Sequence, residues 1–209
     1  MGTFLDISAC LGKNHNEVAN VLAQFVAKCD GDWQMISLDQ YDDSNCLIET
    51  IGPNTLVMYP YLTLFCDEAS QYLSETLDCT TFSLQIYDGD FWMFCLYHLG
   101  ELVTRFNTMP HYFEEIDEEE LESWRPDIEA ICRLIPGVSA EQIERYLIFW
   151  PDPEEDDSFY ETKAYPDDEC EYSDWQIVDF MRALGLGYFT EDKPNPETTQ
   201  VYRFAIERE

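Results

Sequence analysis

Positive charge is scarce in this chain. Eleven Lys and Arg face 43 Asp and Glu over 209 residues, with three His, for a formal net charge of −32 at pH 7. Direct nucleic-acid binding needs clustered Lys and Arg, so a nucleic-acid partner is not expected. The same field repels anionic membrane surfaces, and no apolar run approaches the ~20 residues of a membrane helix. The eight cysteines have no CxxC pair or short Cys/His cluster, so neither a structural zinc site nor another metal or cofactor site is expected. GxSxG, HExxH and Walker sequences are absent, which removes support for hydrolase and nucleotide-triphosphatase chemistry. The stretch 39–50 carries carboxylates at Asp39, Asp43 and Glu49. It has Ser44 and Thr50 where a calcium loop needs Gly and Glu. The N-terminal Met-Gly-Thr-Phe-Leu-Asp has no basic n-region, and Asp6 occupies the Ser/Thr position of a myristoylation motif. A cytoplasmic location is the expectation.

Apolar material is plentiful. Hydrophobic residues make up 45% of the chain, with 13 Phe, 13 Tyr and 5 Trp, a composition that folds despite its charge. Cys29 lies in helical register with Val18, Val21, Leu22, Phe25 and Val26, and Cys132 with Ile128, Ile131 and Ile135. Both read as small core hydrophobes in reduced form. The acid is uneven: residues 1–105 hold 15 acids and 3 bases, residues 106–209 hold 28 and 8.

The pattern predicts an α+β fold with a mixed or antiparallel sheet. A strand at 4–7, a helix capped by Asn16, and strands at 33–38 and 46–51 recur about 51 residues later. The second set is a strand at 55–59, a helix capped by Asp67, and strands at 81–87 and 90–98 joined by an Asp88-Gly89 turn. A further strand is expected at 101–106. Residues 1–110 thus read as a duplicated module, divided near 52. Residues 111–209 read as an acidic, mainly helical part packed on the same domain. In it, helices start near Asp117 and Pro126. Capping boxes Ser139/Gln142 and Ser173/Gln176 start two more, the first running to Trp150, and a closing strand spans 199–206. Residues 90–98 are apolar on both faces, as a central strand is.

In topology alone, this strand–helix–strand–strand layout over the first ~110 residues resembles paired α+β architectures, among them the vicinal-oxygen-chelate (glyoxalase-like) enzymes and gyrase-inhibitor-like ligand-binding domains. That resemblance implies a cavity between the repeats, for which Trp33, Trp92, Tyr97 and His98 are the candidate lining residues. Glyoxalase-type chemistry would need His, Glu or Gln ligands on the first strands, and residues 4–7 and 55–59 contain no His.

The leading functional expectation is a non-enzymatic binding protein that engages a basic protein partner, as an immunity-type inhibitor of a toxin or nuclease would. Its candidate surface is the acidic stretch with interleaved aromatics: Glu154, Glu155, Asp156, Asp157, Phe159, Tyr160, Asp167, Asp168 and Glu169. Carboxylates steer a basic partner and aromatics anchor it. A small-ligand protein and a DNA mimic are the alternatives. A purely solubilising role for the acid also fits the composition.

Overall fold

The computed structural model describes residues 2–61, 63, 65–151, 165–170, 174–189 and 195–206. The fold is α+β. Eight strands form one sheet: β1 (Leu5–Cys10), β2 (Asp32–Ile36), β3 (Asn45–Ile51), β4 (Asn54–Met58), β5 (Thr80–Tyr87), β6 (Phe91–His98), β7 (Glu101–Asn107) and β8 (Thr199–Ala205). Their order is β2-β8-β3-β4-β1-β5-β6-β7, and every neighbouring pair is antiparallel. Helices α1 (His15–Lys28) and α2 (Cys66–Thr76) pack on one face. On the other lies the segment carrying α4 (Ile128–Leu134), α5 (Ala140–Ile143) and α6 (Gln176–Ala183), while α3 (Glu118–Ser123) contributes no buried residue and is tied to β7 by the Arg105–Ser123 hydrogen bond. None of the described helices is long and apolar enough to cross a membrane.

Both halves of the first ~110 residues run strand, helix, strand, strand, but their pairing is not equivalent. β5 and β6 form a hairpin, whereas β8 stands between β2 and β3. The closing strand is therefore interior to the sheet and ties the C-terminal segment into it. β1 and β4 lie side by side, with Ile7 opposite Met58 and Ala9 opposite Leu56, so the halves meet in a hydrogen-bonded ladder.

Local chemistry moves two helix starts from their expected places. Asn14, not Asn16, caps α1: its side chain accepts from the Asn16 and Glu17 N–H groups, and Glu17 reaches back to the Asn14 N–H at 3.0 Å. A capping box needs Glu or Gln three residues on, which Asn14 has and Asn16 lacks. α2 begins at Cys66 with no side-chain cap, because its N-cap position is taken by Phe65, and the Asp67 carboxylate inside the first turn is turned towards β5. The helix expected from Ser139 to Trp150 keeps its capping box but stops at Ile143, followed by a 3-10 turn over Glu144–Tyr146. Trp150 instead donates its N–H to Thr108 O at 2.7 Å. The Asp88-Gly89 turn has positive φ at both residues, as its right-handed twist demands.

β6 is an interior strand with Trp92 fully buried. Trp92, Phe94, Phe82 and Phe106 pack against Phe180, Ile177 and Met181 of α6 and against Ile131 and Trp150. Phe180 lies 5.2 Å from Trp92 and 5.3 Å from Phe94, and the Trp92 indole N–H donates to Gln176 Oε1 at 3.3 Å. Under α1 the core is aliphatic and aromatic, with Val18, Leu22 and Val26 on Ile48, Val57 and Phe204. Under α2 it becomes polar: Ser8 Oγ meets Tyr59 OH at 2.8 Å and Ser70 Oγ at 2.6 Å, and Ser74 donates to Cys79 O at 2.7 Å. All eight cysteines are free thiols.

Candidate functional site

The polar face under α2 ends in two carboxylates. Asp6, Gln85 and Met93 are cross-strand partners on β1, β5 and β6, so one row of side chains crosses three strands on the α2 side. Gln85 Nε2 donates to Asp6 Oδ1 at 2.7 Å. Asp67, in the first turn of α2, accepts from the Ser83 hydroxyl one row away. Asp6 is only 9% exposed. Burial, reinforced by the Asp67 charge and opposed by the Gln85 and Thr63 hydrogen bonds, pushes its carboxyl up to about 6. Burial raises Asp67 as well, against the Ser83 hydrogen bond. Among the described residues neither carboxylate forms an ion pair. Arg105, which shares this sheet face, is directed elsewhere. It stacks on Trp124 at 3.9 Å and donates to Ser123 Oγ at 3.0 Å.

A cleft of 270 Å³ opens over this pair, with Phe4, Tyr87, Phe113 and Met93 among its walls and Glu68 beside Asp67. The rings touch in sequence: Phe4 and Tyr87 lie 5.1 Å apart, edge to face, as do Tyr87 and Phe113. Phe113 is 69% exposed. Phe4 and Asp6 also line a second cavity of 380 Å³ with Tyr41, Asp43, Tyr61 and Trp175, so these two residues stand between the cavities. Carboxylates and aromatic rings line both, and no Lys, Arg or His is among the described lining residues. No group of three or more His, Cys, Asp or Glu among the described residues is placed to hold a metal ion.

The residues singled out from sequence fall elsewhere. Glu154, Glu155, Asp156, Asp157, Phe159 and Tyr160 lie outside the described residues. Asp167 and Asp168 clamp Arg145, at 3.0 and 2.9 Å, with its guanidinium over the rings of Tyr165 and Tyr146 at 4.3 and 4.9 Å. Asp168 is buried and also accepts from Tyr146 OH at 3.0 Å, so it faces inward. Arg145 holds the exposed Asp167 carboxyl below its ordinary range. Glu169 pairs with Arg182 at 2.8 Å. The scarce arginines thus occupy these three acids from within the chain. Trp33, Trp92, Tyr97 and His98 do not converge. Trp33 stacks on Tyr202 at 4.3 Å at one end of the sheet. Trp92 lies in the core on the α6 side, and Tyr97 is on the α2 side of the same strand. His98 bonds Thr80 Oγ1 at 2.9 Å and lines an open cleft of 580 Å³ with Lys13, to which the other three do not contribute.

Asp6 and Asp67 carried a signal in the sequence that the helical and strand patterns overrode. Asp6 interrupts an apolar strand, and Asp67 has the composition of a cap while its helix starts without one. Comparison with protein-family models, with curated proteins and with solved structures finds no match.

Proposed function

We propose that the chain is a non-enzymatic binding protein that engages a basic protein partner, in the manner of an immunity-type inhibitor, and that the acidic, aromatic-walled cleft at Asp6 and Asp67 is its engaging surface. One observation carries the reading: a buried carboxylate, Asp6, and a half-buried one, Asp67, without an ion-pair partner among the described residues, sit beneath a cleft walled by exposed and half-exposed rings. Burying a charge without an opposite charge is costly, and a cationic partner is the group that removes the cost. The net charge of −32 supports the same reading by steering such a partner from a distance. Exposed aromatics next to carboxylates have the composition of a contact anchor inside a polar rim.

A small cationic ligand is the second reading, favoured by the 380 Å³ volume of the adjoining cavity. The test is capture from host extract with salt elution, followed by binding kinetics with each captured protein in purified form. The expected result is a basic partner whose association slows steeply with ionic strength. Dissociation should accelerate for Asp6→Asn combined with Asp67→Asn. Neutralising Glu154, Glu155, Asp156 and Asp157 should slow association, if that acidic run adds to the steering. Binding that ignores both salt and the double substitution overturns the proposal.

A further inference from the structure

We infer that the 270 Å³ cleft bounded by Asp6, Asp67 and the rings of Phe4, Tyr87 and Phe113 is a socket for a single lysine side chain of a basic partner. This rests on the partner reading above and specifies what the partner inserts.

Three features lead to lysine rather than arginine or an apolar anchor. The carboxylates come from different elements, β1 and α2, and each already gives an oxygen to a neutral donor, Gln85 Nε2 or Ser83 Oγ. Neither therefore offers both oxygens side by side to the planar fork of a guanidinium. A compact ammonium with three divergent donors reaches two separate carboxylates from one position. The walls are aromatic, with the Met93 thioether among them, and a π-system attracts a cation while its carbon surface takes the methylene stem. The size fits too. An n-butylammonium group has five heavy atoms and fills about 150 Å³ at roughly 30 Å³ each, the share of a water molecule. That sits within the 270 Å³ of the cleft. With Arg105 held by Trp124 and Ser123, no arginine among the described residues of this sheet face competes for the position.

The test uses a probe small enough to be independent of any protein partner. Protein carrying ¹³C-methyl methionine is titrated at physiological salt with n-butylammonium, N-ethylguanidinium and n-butanol. The Met93 resonance is assigned by Met93→Leu. The expected result is a saturable Met93 shift with n-butylammonium, and about tenfold weaker binding of the guanidinium and the alcohol. Asp67→Asn changes the net charge by only one unit yet should weaken n-butylammonium about tenfold, an effect a diffuse field cannot produce. Phe113→Ala, at an exposed position where folding is not at stake, should weaken it several-fold. Equal binding of n-butanol, no saturable Met93 shift, or indifference to both substitutions overturns the socket. Such a failure leaves the partner reading standing. A socket that takes n-butylammonium in a protein that binds no basic protein removes the partner reading alone.

Discussion

Along β1, β5 and β6 successive residues point to opposite faces of the sheet. Towards α6, the cross-strand row Ile7, Leu84, Phe94 and Phe106 is wholly apolar and fully or almost fully buried. One residue along, towards α2, the equivalent rows are Ser8, Ser83 and Cys95, then Asp6, Gln85 and Met93. The same backbone thus supports an aromatic core on one side and a hydrogen-bonded hydroxyl, thiol and carboxylate layer on the other. A buried layer of this kind costs stability wherever a polar group lacks a partner. Its hydroxyls find partners in one another, in a backbone carbonyl and in Asp67, and its carboxylates, at the open end, have only neutral donors. The difference teaches where to look for function: the α6 face holds the fold together, and the open end of the α2 face carries chemistry that the fold does not need.

The sharpest way to break this comparison is a charge on the apolar face. Trp92→Asp should cost more than about 4 kcal/mol and leave little folded protein in chemical denaturation. A soluble variant with unchanged stability would mean that the α6 face is not the stabilising one.

The next effect has the opposite sign. The Asp6 carboxyl is raised from 3.8 to about 6, so in that interval the native state binds more protons than the unfolded chain. Stability should therefore fall as pH rises from about 4 to about 6, by on the order of 3 kcal/mol from this group alone. Asp67, Glu49 and Asp174, also raised by burial, act in the same direction. Asp42 and Asp167, which are lowered, oppose it. Asp6→Asn should be more stable than the parent at neutral pH and show a shallower slope between those limits. An unchanged slope would place Asp6 in water rather than under α2.

A smaller loss is expected within the hydroxyl layer. Ser8→Ala removes the partner of both Tyr59 OH and Ser70 Oγ and should cost about 1–3 kcal/mol. A neutral result would mean that those hydroxyls find water in the parent. The smallest effect is that of salt. Screening of the self-repulsion should raise the melting temperature by about 2–4 °C between ~20 and ~150 mM monovalent salt, a gain of under about 1 kcal/mol. A flat response would mean that local pairing of the kind seen at Arg145 already balances the acids.

Much of the architecture was legible in the sequence for identifiable reasons. Period-2 alternation and the Asp88-Gly89 turn gave β5 and β6. Helical spacing of Val18, Leu22, Phe25 and Val26 gave α1, and two-sided apolarity gave the interior position of β6. The helix at 139–150 failed because its cap is local whereas its C-terminal half is recruited by Thr108, some forty residues earlier in the chain. The acidic stretch from 152 onward drew attention through its density of charge. Yet Asp167, Asp168 and Glu169 are held by Arg145 and Arg182, pairings that linear spacing does not encode.

The sequence by itself determined the class of the protein: an α+β chain, strongly acidic, with an apolar pattern rich enough to fold. Composition and periodicity act over a few residues, and those properties need nothing more. Only the tertiary structure decided that β8 enters between β2 and β3, that Trp92 belongs to the core, and that Asp6 and Asp67, 61 positions apart, share one cleft. Such juxtapositions depend on which strands pair and which face a helix covers. They are settled by burial of the whole apolar surface at once, not by any local preference.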